Sequence, residues 1–287
     1  MTEVPPFFAD YQRRVESELR RLVPGGGDRV QEAMGYTLHA PSKRVRAVLT
    51  LLAAELCGGA AAAAMVAAGV MEMVHASSLI LDDLPSMDNA PLRRGKPANH
   101  LVYGEAISIL AAFGLLDASF GVLSREYDAV TAAQLTGLLS EAVGGDGLIG
   151  GQAADLLATD REISFGMLER IHRGKTGALF SAAATAGAVT AKGAAEPIAA
   201  LQAFAKNLGL AFQIIDDLLD VEGDPLITGK PIREDVKKTT FVSFSGVAGA
   251  RQLAAELCHT ADSALTPFGR RANQLRELSA FVAGRMM

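Results

Sequence analysis

Helical patterns of apolar residues repeat along almost the whole chain. Alternating runs of β-branched residues bounded by turns, the pattern of half-buried strands, are nearly absent. Glycine and proline lie between the helical segments, for example at 24–27, 91–97 and 223–231. The sequence therefore predicts an all-α fold, a large helix bundle.

The predicted helices follow one another without a repeat, a low-complexity tract or a long linker. A single domain spanning residues 1–287 is the simplest organisation. Alanine and glycine occupy many helix positions, so the helices can approach closely and leave space for a ligand along the centre of the bundle. The predicted helices cover 6–22, 28–39, 43–57, 61–83, 104–125, 129–144, 147–158, 164–173, 175–191, 195–221, 236–264 and 268–284.

Two clusters of aspartates each follow a strongly apolar helical stretch. The first acidic cluster lies within residues 82–88 and the second within residues 216–220. Adjacent ionised carboxylates repel each other and resist burial, so each cluster is expected to have raised pKa values or to need a counter-charge. Oxygen ligands without clustered Cys or His favour a hard ion. Mg²⁺ fits best, because it needs only one or two carboxylates and takes other ligands from substrate phosphates.

Spacing indicates which carboxylates can share an ion. Asp216 and Asp220 lie four residues apart on one helix face, whereas Asp217 points about 100° away. Pro85 favours a helix end just before it, so Asp88 must return across a turn. A solvated acidic helix end explains one such cluster alone, but two clusters after apolar helices favour a metal site.

Basic residues are placed to receive phosphate. They cluster at 43–46 and 93–96 and recur at Lys175, Lys230 and 237–238. Any one basic pair is commonly a solvated surface feature, but together they suit a diphosphate, since Arg binds phosphate oxygens in pairs and Lys supplies a mobile charge.

His75 lies seven residues before Asp82, on the same helix face. A lone helical histidine is commonly structural, yet its position beside the carboxylates favours contact with phosphate. No nucleotide-binding glycine loop occurs in the sequence. These features predict a diphosphate that ionises in an apolar channel.

Composition limits the other function classes. The net charge of −5 argues against general nucleic-acid binding. Cys57 and Cys258 lack metal-ligand spacing and indicate a reducing compartment, and no secretory signal is recognisable, so we expect a cytoplasmic protein. The apolar runs at 58–71 and 177–191 are too short to span about 30 Å of hydrocarbon, so a membrane-spanning protein is not expected.

The motifs resemble those of the trans-isoprenyl diphosphate synthases, or polyprenyl synthetases, along nearly the whole chain, and most of all the bacterial geranylgeranyl and farnesyl diphosphate synthases. Residues 82–88 resemble the first aspartate-rich motif of this family, and residues 92–97 resemble the basic sequence that usually follows it. Residues 212–220 resemble the second motif, and 174–176 and 229–230 fall where the family places substrate lysines.

The resemblance implies an isoprenoid-synthase-type bundle around a deep central cavity, a homodimer, and three Mg²⁺ ions per active site. It implies ionisation of an allylic diphosphate (dimethylallyl, geranyl or farnesyl) and attack on the cation by isopentenyl diphosphate. The implied metal ligands are Asp82, Asp83, Asp88, Asp216 and Asp220, and the implied catalytic residues are Asp82, Asp83, Asp88, Lys175, Asp216 and Lys230.

The resemblance also implies how the two substrates are bound. The implied contacts to the allylic diphosphate are Arg93, Lys175, Thr176, Gln213 and Lys230. The implied contacts to isopentenyl diphosphate are Lys43, Arg46, His75 and Arg94.

Product length depends on the floor of the channel. Related C15 synthases carry an aromatic residue five positions before the first aspartate, where this chain has Ser77, followed by Ser78. A small floor leaves room for a further five-carbon unit, with Val74 among the next residues below. Geranylgeranyl diphosphate, C20, is the expected product.

Three other functions remain open from the sequence. A farnesyl diphosphate synthase would use the same residues. A class I terpene cyclase would carry an Asn/Ser/Glu metal motif in place of the second acidic cluster. A non-catalytic subunit of a prenyl synthase would not need intact metal ligands, whereas both clusters are complete here.

Overall fold

A computed structural model describes residues 5–222 and 238–284 of the chain. The described elements are α1 (Pro6–Leu22), α2 (Arg29–Leu38), α3 (Val45–Leu56), α4 (Ala61–Asp82), β1 (Leu92–Arg93), β2 (Lys96–Pro97), α5 (Asn99–Tyr103), α6 (Glu105–Glu126), α7 (Ala129–Val143), α8 (Leu148–Ala158), α9 (Phe165–His172), a π-helical turn (Arg173–Gly177), α10 (Ala178–Thr190), α11 (Ala195–Glu222), α12 (Phe241–Ala264), a 3₁₀ segment (Thr266–Ala272) and α13 (Asn273–Ala283).

The all-α prediction is confirmed, and most helix bounds agree within two residues. The helix predicted at 236–264 begins at Phe241, with its first two positions outside the described residues. Sequence periodicity missed the small β1–β2 hairpin, α5 and the π-helical turn. These elements are too short for a periodic pattern to develop.

Side-chain caps explain where several helices begin. Asp28 precedes α2 and accepts the backbone N–H groups of Val30 and Gln31, both at 2.9 Å. Thr240 and Ser243 form a reciprocal capping box at the start of α12. Such caps satisfy the otherwise unpaired donors of the first helical turn.

The core lies where α3, α4, α10 and α11 pack together, with α6 against α4 and α12 against α11. Phe180, Phe204 and Phe241 are fully buried there. At Gly187 in α10, a Cβ atom would lie 2.1 Å from the carbonyl oxygen of Thr50 in α3. Only glycine permits this approach, so the predicted close packing of helices is confirmed at this crossing.

Three of the described helices, α4, α6 and α11, are long and apolar enough by length and composition to cross a membrane. The apolar run at 58–71 was judged too short, which was wrong because it continues into the 22-residue α4. The run at 177–191 forms the 13-residue α10. In the bundle, α4 and α11 contribute largely to the core, and each carries an acidic cluster at its C-terminal end.

Candidate active site

The first acidic cluster closes the C-terminal end of α4. Asp82 is the last helical residue, and the loop after it folds back so that the N–H of Asp88 donates to the carbonyl of Asp82 at 2.9 Å. Asn89, with φ 47°, completes the turn by donating to the carbonyl of Leu84. The predicted return of Asp88 over the helix end is therefore confirmed.

Asp83 lies apart from its neighbours in this cluster. It is 1% exposed, and Arg93 of the hairpin donates to its carboxylate through Nε at 2.9 Å and through Nη2. This ion pair fixes the hairpin against the end of α4. Asp83 has thus a structural partner in the described fold, which competes with its predicted role as a metal ligand.

Asp82 is partly buried at the C-terminal end of α4. Burial raises the pKa of Asp82 to about 6; the charge of Lys175 opposes this shift, whereas that of Asp88 adds to it. A carboxyl group in this state gains from a cation, because an added positive charge favours its ionised form. Asp82 and Asp88 therefore suit a metal ion better than Asp83 does.

The aspartates of the second acidic cluster have different surroundings, as their spacing predicts. Asp216 and Asp220 are half-buried on α11, whereas Asp217 is buried and accepts the Nε2 hydrogen of Gln213 and the backbone N–H of Phe241, both at 3.0 Å. Asp217 thus holds the start of α12 against α11. Asp216 and Asp220 remain the candidates for a shared ion.

The π-helical turn connects the two acidic clusters. Its Thr176 donates to Oε1 of Gln213 on α11 at 3.0 Å, and its Lys175 donates to Oδ2 of Asp155 on α8 at 2.8 Å. A Cβ atom on Gly151 of α8 would lie 2.1 Å from the backbone nitrogen of Lys175. Close helix packing therefore sets where Lys175 and Thr176 enter the site, and π-turns of this kind are common at functional sites.

Lys238, just before α12, completes the link to the first acidic cluster. Its ammonium lies 2.9 Å from Oδ1 of Asp88 and 3.3 Å from Oδ2 of Asp155. Contacts thus run from Asp88 through Asp155, Lys175 and the π-helical turn to α11. Side-chain contacts therefore link the first acidic cluster to the helix that carries the second.

A second group of charges, the basic cluster, comprises Arg44, Arg46, His75 and Arg94. Arg44 is in the left-handed region (φ 53°) and donates to the buried Glu72 at 3.3 Å and to the carbonyl of Leu38 at 2.7 Å. Burial lowers the pKa of Arg94 to about 10 and that of His75 well below its usual value; neighbouring arginines add to the fall at His75. His75 is therefore neutral near pH 7.

Three hydrogen-bond donors of the basic cluster have no acceptor among the described residues. Nε of Arg44, Nε of Arg46 and Nη1 of Arg94 are buried and have no hydrogen-bond partner among residues 5–222 and 238–284. The guanidinium of Arg46 also lies 4.7 Å from the ring centroid of Phe180. Buried donors without acceptors are costly, so an anion such as phosphate would fit this cluster.

Several predicted site residues lie elsewhere. The ammonium of Lys43 lies 5.5 Å from the ring centroid of Phe281 in α13. Lys230 lies outside the described residues. On α4, Ser78 is half-buried, and Val74 and Ser77 are buried, with Ser77 donating to the carbonyl of Ala112 in α6 at 2.9 Å. Position 77 thus packs at the α4–α6 contact.

The donor set fits Mg²⁺ held mainly by substrate. No group of three or more Asp, Glu, His or Cys residues in the described part of the chain forms a ready-made metal site. Each acidic cluster instead offers separate carboxylates, and Mg²⁺ typically uses one or two of these with phosphate oxygens and water. A pre-formed cage is not expected for such an ion.

Reasoning from sequence missed Glu72, Asp155 and Gly151. Glu72 carried a signal, since it is the one acidic residue within the apolar stretch 61–81 and such a residue needs a cation when buried. The predicted helix at 147–158 includes the glycines at 150–151, and they do lie inside α8. Nothing local in the sequence shows that Gly151 touches the π-helical turn.

Comparisons with known proteins agree with this arrangement. Residues 28–260 match the family described as Polyprenyl synthetase. The chain is 41% identical to a chloroplastic geranylgeranyl pyrophosphate synthase from Capsicum annuum (89% of this chain, 71% of that protein). It is 39% identical to farnesyl diphosphate synthase from Geobacillus stearothermophilus (87% and 86%).

A solved FPP/GFPP synthase from Zymomonas mobilis in its apo form has a similar fold, with a TM-score of 0.86 and 32% identity over 96% of this chain and 97% of that one. The sequence motifs, the helical fold and these matches agree. The chain belongs to the polyprenyl synthetase family.

Proposed function

We propose that this protein condenses isopentenyl diphosphate with an allylic diphosphate to give a short-chain all-trans prenyl diphosphate, with geranylgeranyl diphosphate as the product. Its relatives include synthases named for both C20 and C15 products. The observation that carries the proposal is the chain of ion pairs from Asp88 through Lys238 and Asp155 to Lys175, whose π-helical turn contacts the helix of the second acidic cluster, together with a separate basic cluster that has unused donors. Each group suits one diphosphate.

The allylic diphosphate lies between the two acidic clusters in this proposal. Asp82, Asp88, Asp216 and Asp220 would hold its Mg²⁺ ions, of which the family pattern implies three. Bound Mg²⁺ stabilises the negative charge of the departing diphosphate. The chain itself supplies Lys175, Thr176, Gln213, Arg93 and Lys230 as contacts to the diphosphate.

Isopentenyl diphosphate is bound by the basic cluster. The unused nitrogens of Arg46 and Arg94 donate to its oxygens. Lys43, whose ammonium lies over the Phe281 ring, is a further contact that the family pattern implies. Neutral His75 can donate one ring hydrogen without adding to the repulsion among the arginines. The double bond then faces the allylic carbon, and the proton lost after the bond forms passes to the departing diphosphate.

A small residue at position 77 supports the C20 product. The family pattern makes position 77 part of the channel floor, and the Ser77 hydroxyl donates to the carbonyl of Ala112, which puts this floor where α4 meets α6. Burying five more carbons stabilises the longer product by about 4 kcal/mol, at about 0.8 kcal/mol per methylene. The Ser77→Tyr variant should therefore shorten the product, while Ser77→Ala should retain it.

An exposed apolar surface supports the homodimer that the family pattern implies. Leu110 and Phe113, one turn apart on α6, are 53% and 63% exposed, and Leu101 and Val102 extend the surface into α5. Surfaces of this kind are typical of subunit contacts. We place the protein in the cytoplasm as a dimer that does not span the membrane.

The test is product analysis of the purified protein with labelled isopentenyl diphosphate and each allylic primer, with and without Mg²⁺. A C20 product that requires Mg²⁺ is expected. A C15 product would replace the C20 assignment with farnesyl diphosphate synthase. Absence of turnover with every primer would favour a non-catalytic subunit instead. Light scattering of the same sample measures the dimer.

A further inference from the structure

Asp155 of α8 holds two ammonium groups on one oxygen atom. Its Oδ2 accepts from Nζ of Lys175 at 2.8 Å and from Nζ of Lys238 at 3.3 Å. The three side chains are largely buried. Two like charges this close repel each other strongly unless an anion lies between them. Asp155 is that anion.

The position of Asp155 is set by packing. It lies one helical turn after Gly151, the residue whose missing Cβ allows α8 to touch the backbone of Lys175. The same face of α8 thus fixes both the backbone of Lys175 and, through Asp155, its ammonium. Lys238 comes from a distant part of the chain and reaches the same carboxylate.

Asp155 is ionised in this setting. Burial by itself would raise its pKa, but the charges of Lys175 and Lys238 outweigh burial and lower it. Beside it, His172 is buried at the end of α9, and burial lowers the pKa of His172 to about 4, so this imidazole is neutral near pH 7. The carboxylate therefore balances the two lysines without help from His172.

We propose that Asp155 is a positioning residue that holds Lys175 and Lys238 together, aimed at the site of the allylic diphosphate. This inference rests on the proposed function. Lys238 also pairs with Asp88, a proposed metal ligand. When a cation binds Asp88, Asp155 is the carboxylate that still pairs with Lys238 and keeps it in the site.

Asp155→Asn tests the proposal, because asparagine keeps the shape and removes the charge. Asp155→Glu is the conservative variant, and Asp160→Asn, an exposed position just after α8, is the matched control. Calorimetry measures the binding of inorganic pyrophosphate in EDTA to protein whose basic cluster is already filled with isopentenyl diphosphate, so that only the cations of the allylic diphosphate site contribute. Steady-state kinetics measure KM for geranyl diphosphate and for isopentenyl diphosphate separately.

We expect Asp155→Asn to weaken pyrophosphate binding about 10-fold and to raise KM for geranyl diphosphate by a similar factor, as for loss of a charged hydrogen bond. KM for isopentenyl diphosphate should stay within about 2-fold of the wild-type value. Asp155→Glu should restore part of the loss, and Asp160→Asn should match the wild type.

If Asp155 acted only through its negative charge, Asp155→Asn would tighten pyrophosphate binding, because an anion beside two lysines would be removed. Tighter or unchanged binding in Asp155→Asn would overturn the proposal, as would an equal rise of both KM values with a lower melting temperature. If the wild type transfers no prenyl group at all, the proposed function fails. The pyrophosphate titration then still decides the role of Asp155.

Discussion

The two charged regions of the site are balanced in opposite ways. Around the acidic clusters, carboxylates and ammonium groups pair directly, as Asp155 does with Lys175 and Lys238. In the basic cluster, Arg44 pairs with Glu72, but donors of Arg46 and Arg94 have no partner among the described residues. The acidic region therefore has ion pairs that balance its lysines before a ligand binds, whereas the basic cluster keeps unpaired positive donors.

This difference predicts how each region responds to its ligand. In the acidic region a cation must compete with lysines for carboxylates, so binding of the diphosphate and of the metal should depend on each other. In the basic cluster an anion meets donors that are already desolvated and oriented. Preorganised donors lose little free energy on binding, so this side should bind its diphosphate without metal.

The largest effect should come from Asp82→Asn. The variant removes a carboxylate from the acidic region while keeping its shape, and kcat should fall roughly 10²–10³-fold, the loss typical when one preorganised electrostatic group is removed. The melting temperature should not fall, because the partly buried Asp82 carboxylate, whose pKa burial raises to about 6, is itself unfavourable in the folded state without a cation.

Asp146→Asn, an exposed change between α7 and α8, serves as the control for Asp82→Asn. Turnover and thermal unfolding of both variants are measured in the same buffer with Mg²⁺. A kcat within a factor of ten of the wild-type value would remove Asp82 from the metal ligands, and Asp82 would then suit a metal ion no better than Asp83 does.

Arg94→Gln should affect only the other substrate. Loss of a charged donor should raise KM for isopentenyl diphosphate about 10- to 100-fold and leave KM for the allylic diphosphate nearly unchanged. Removing one positive charge from the basic cluster should also relieve repulsion among its arginines, so thermal stability should be maintained. Equal changes in both KM values would show that the two regions are not separate.

Much of the fold and part of the site could be predicted because the signals are local. Asp216 and Asp220 share a helix face through simple periodicity, and Pro85 forces the turn that returns Asp88 to Asp82. Helix bounds follow from apolar spacing and from caps such as Asp28. Each of these features is determined by residues within about two helical turns.

The remaining features depend on contacts between distant segments. The ion pair of Asp83 with Arg93 requires the hairpin, which is too short to show periodicity. Asp155 acquires its role only when α8 meets the π-helical turn and the segment before α12. A sequence pattern shows that a residue is charged, but it does not show which charge it will meet.

Gly151→Ala should show how closely the acidic region depends on this packing. The added Cβ would lie 2.1 Å from the backbone nitrogen of Lys175, so the π-helical turn must shift, at a cost of about 1–3 kcal/mol in stability. Turnover should fall about 10-fold as Lys175 moves, since charged hydrogen bonds are lost on that scale. The basic cluster should keep its KM for isopentenyl diphosphate.

Gly137→Ala in α7 is the matched control, because a Cβ at this exposed helical glycine meets no atom within 4 Å. It should stabilise the protein by about 0.5–1 kcal/mol through helix propensity alone. Chemical denaturation measures both variants. If Gly151→Ala also stabilised the protein and kept full turnover, contact between α8 and the turn would not be what positions Lys175.

The smallest effect concerns the histidine of the acidic region. Burial lowers the pKa of His172 to about 4 from about 6.5 in the unfolded chain. The folded state therefore disfavours the proton, and stability that is present above pH 6.5 is lost as the pH falls toward 4. Between pH 7 and pH 5 this loss amounts to about 2 kcal/mol.

His172→Phe, which keeps an aromatic ring beside Phe241, should remove that part of the pH dependence in urea unfolding measured at both pH values. An unchanged slope would mean that Asp155 stabilises the protonated imidazole enough to offset burial, and the acidic region would then be less neutral than the contacts of its lysines indicate.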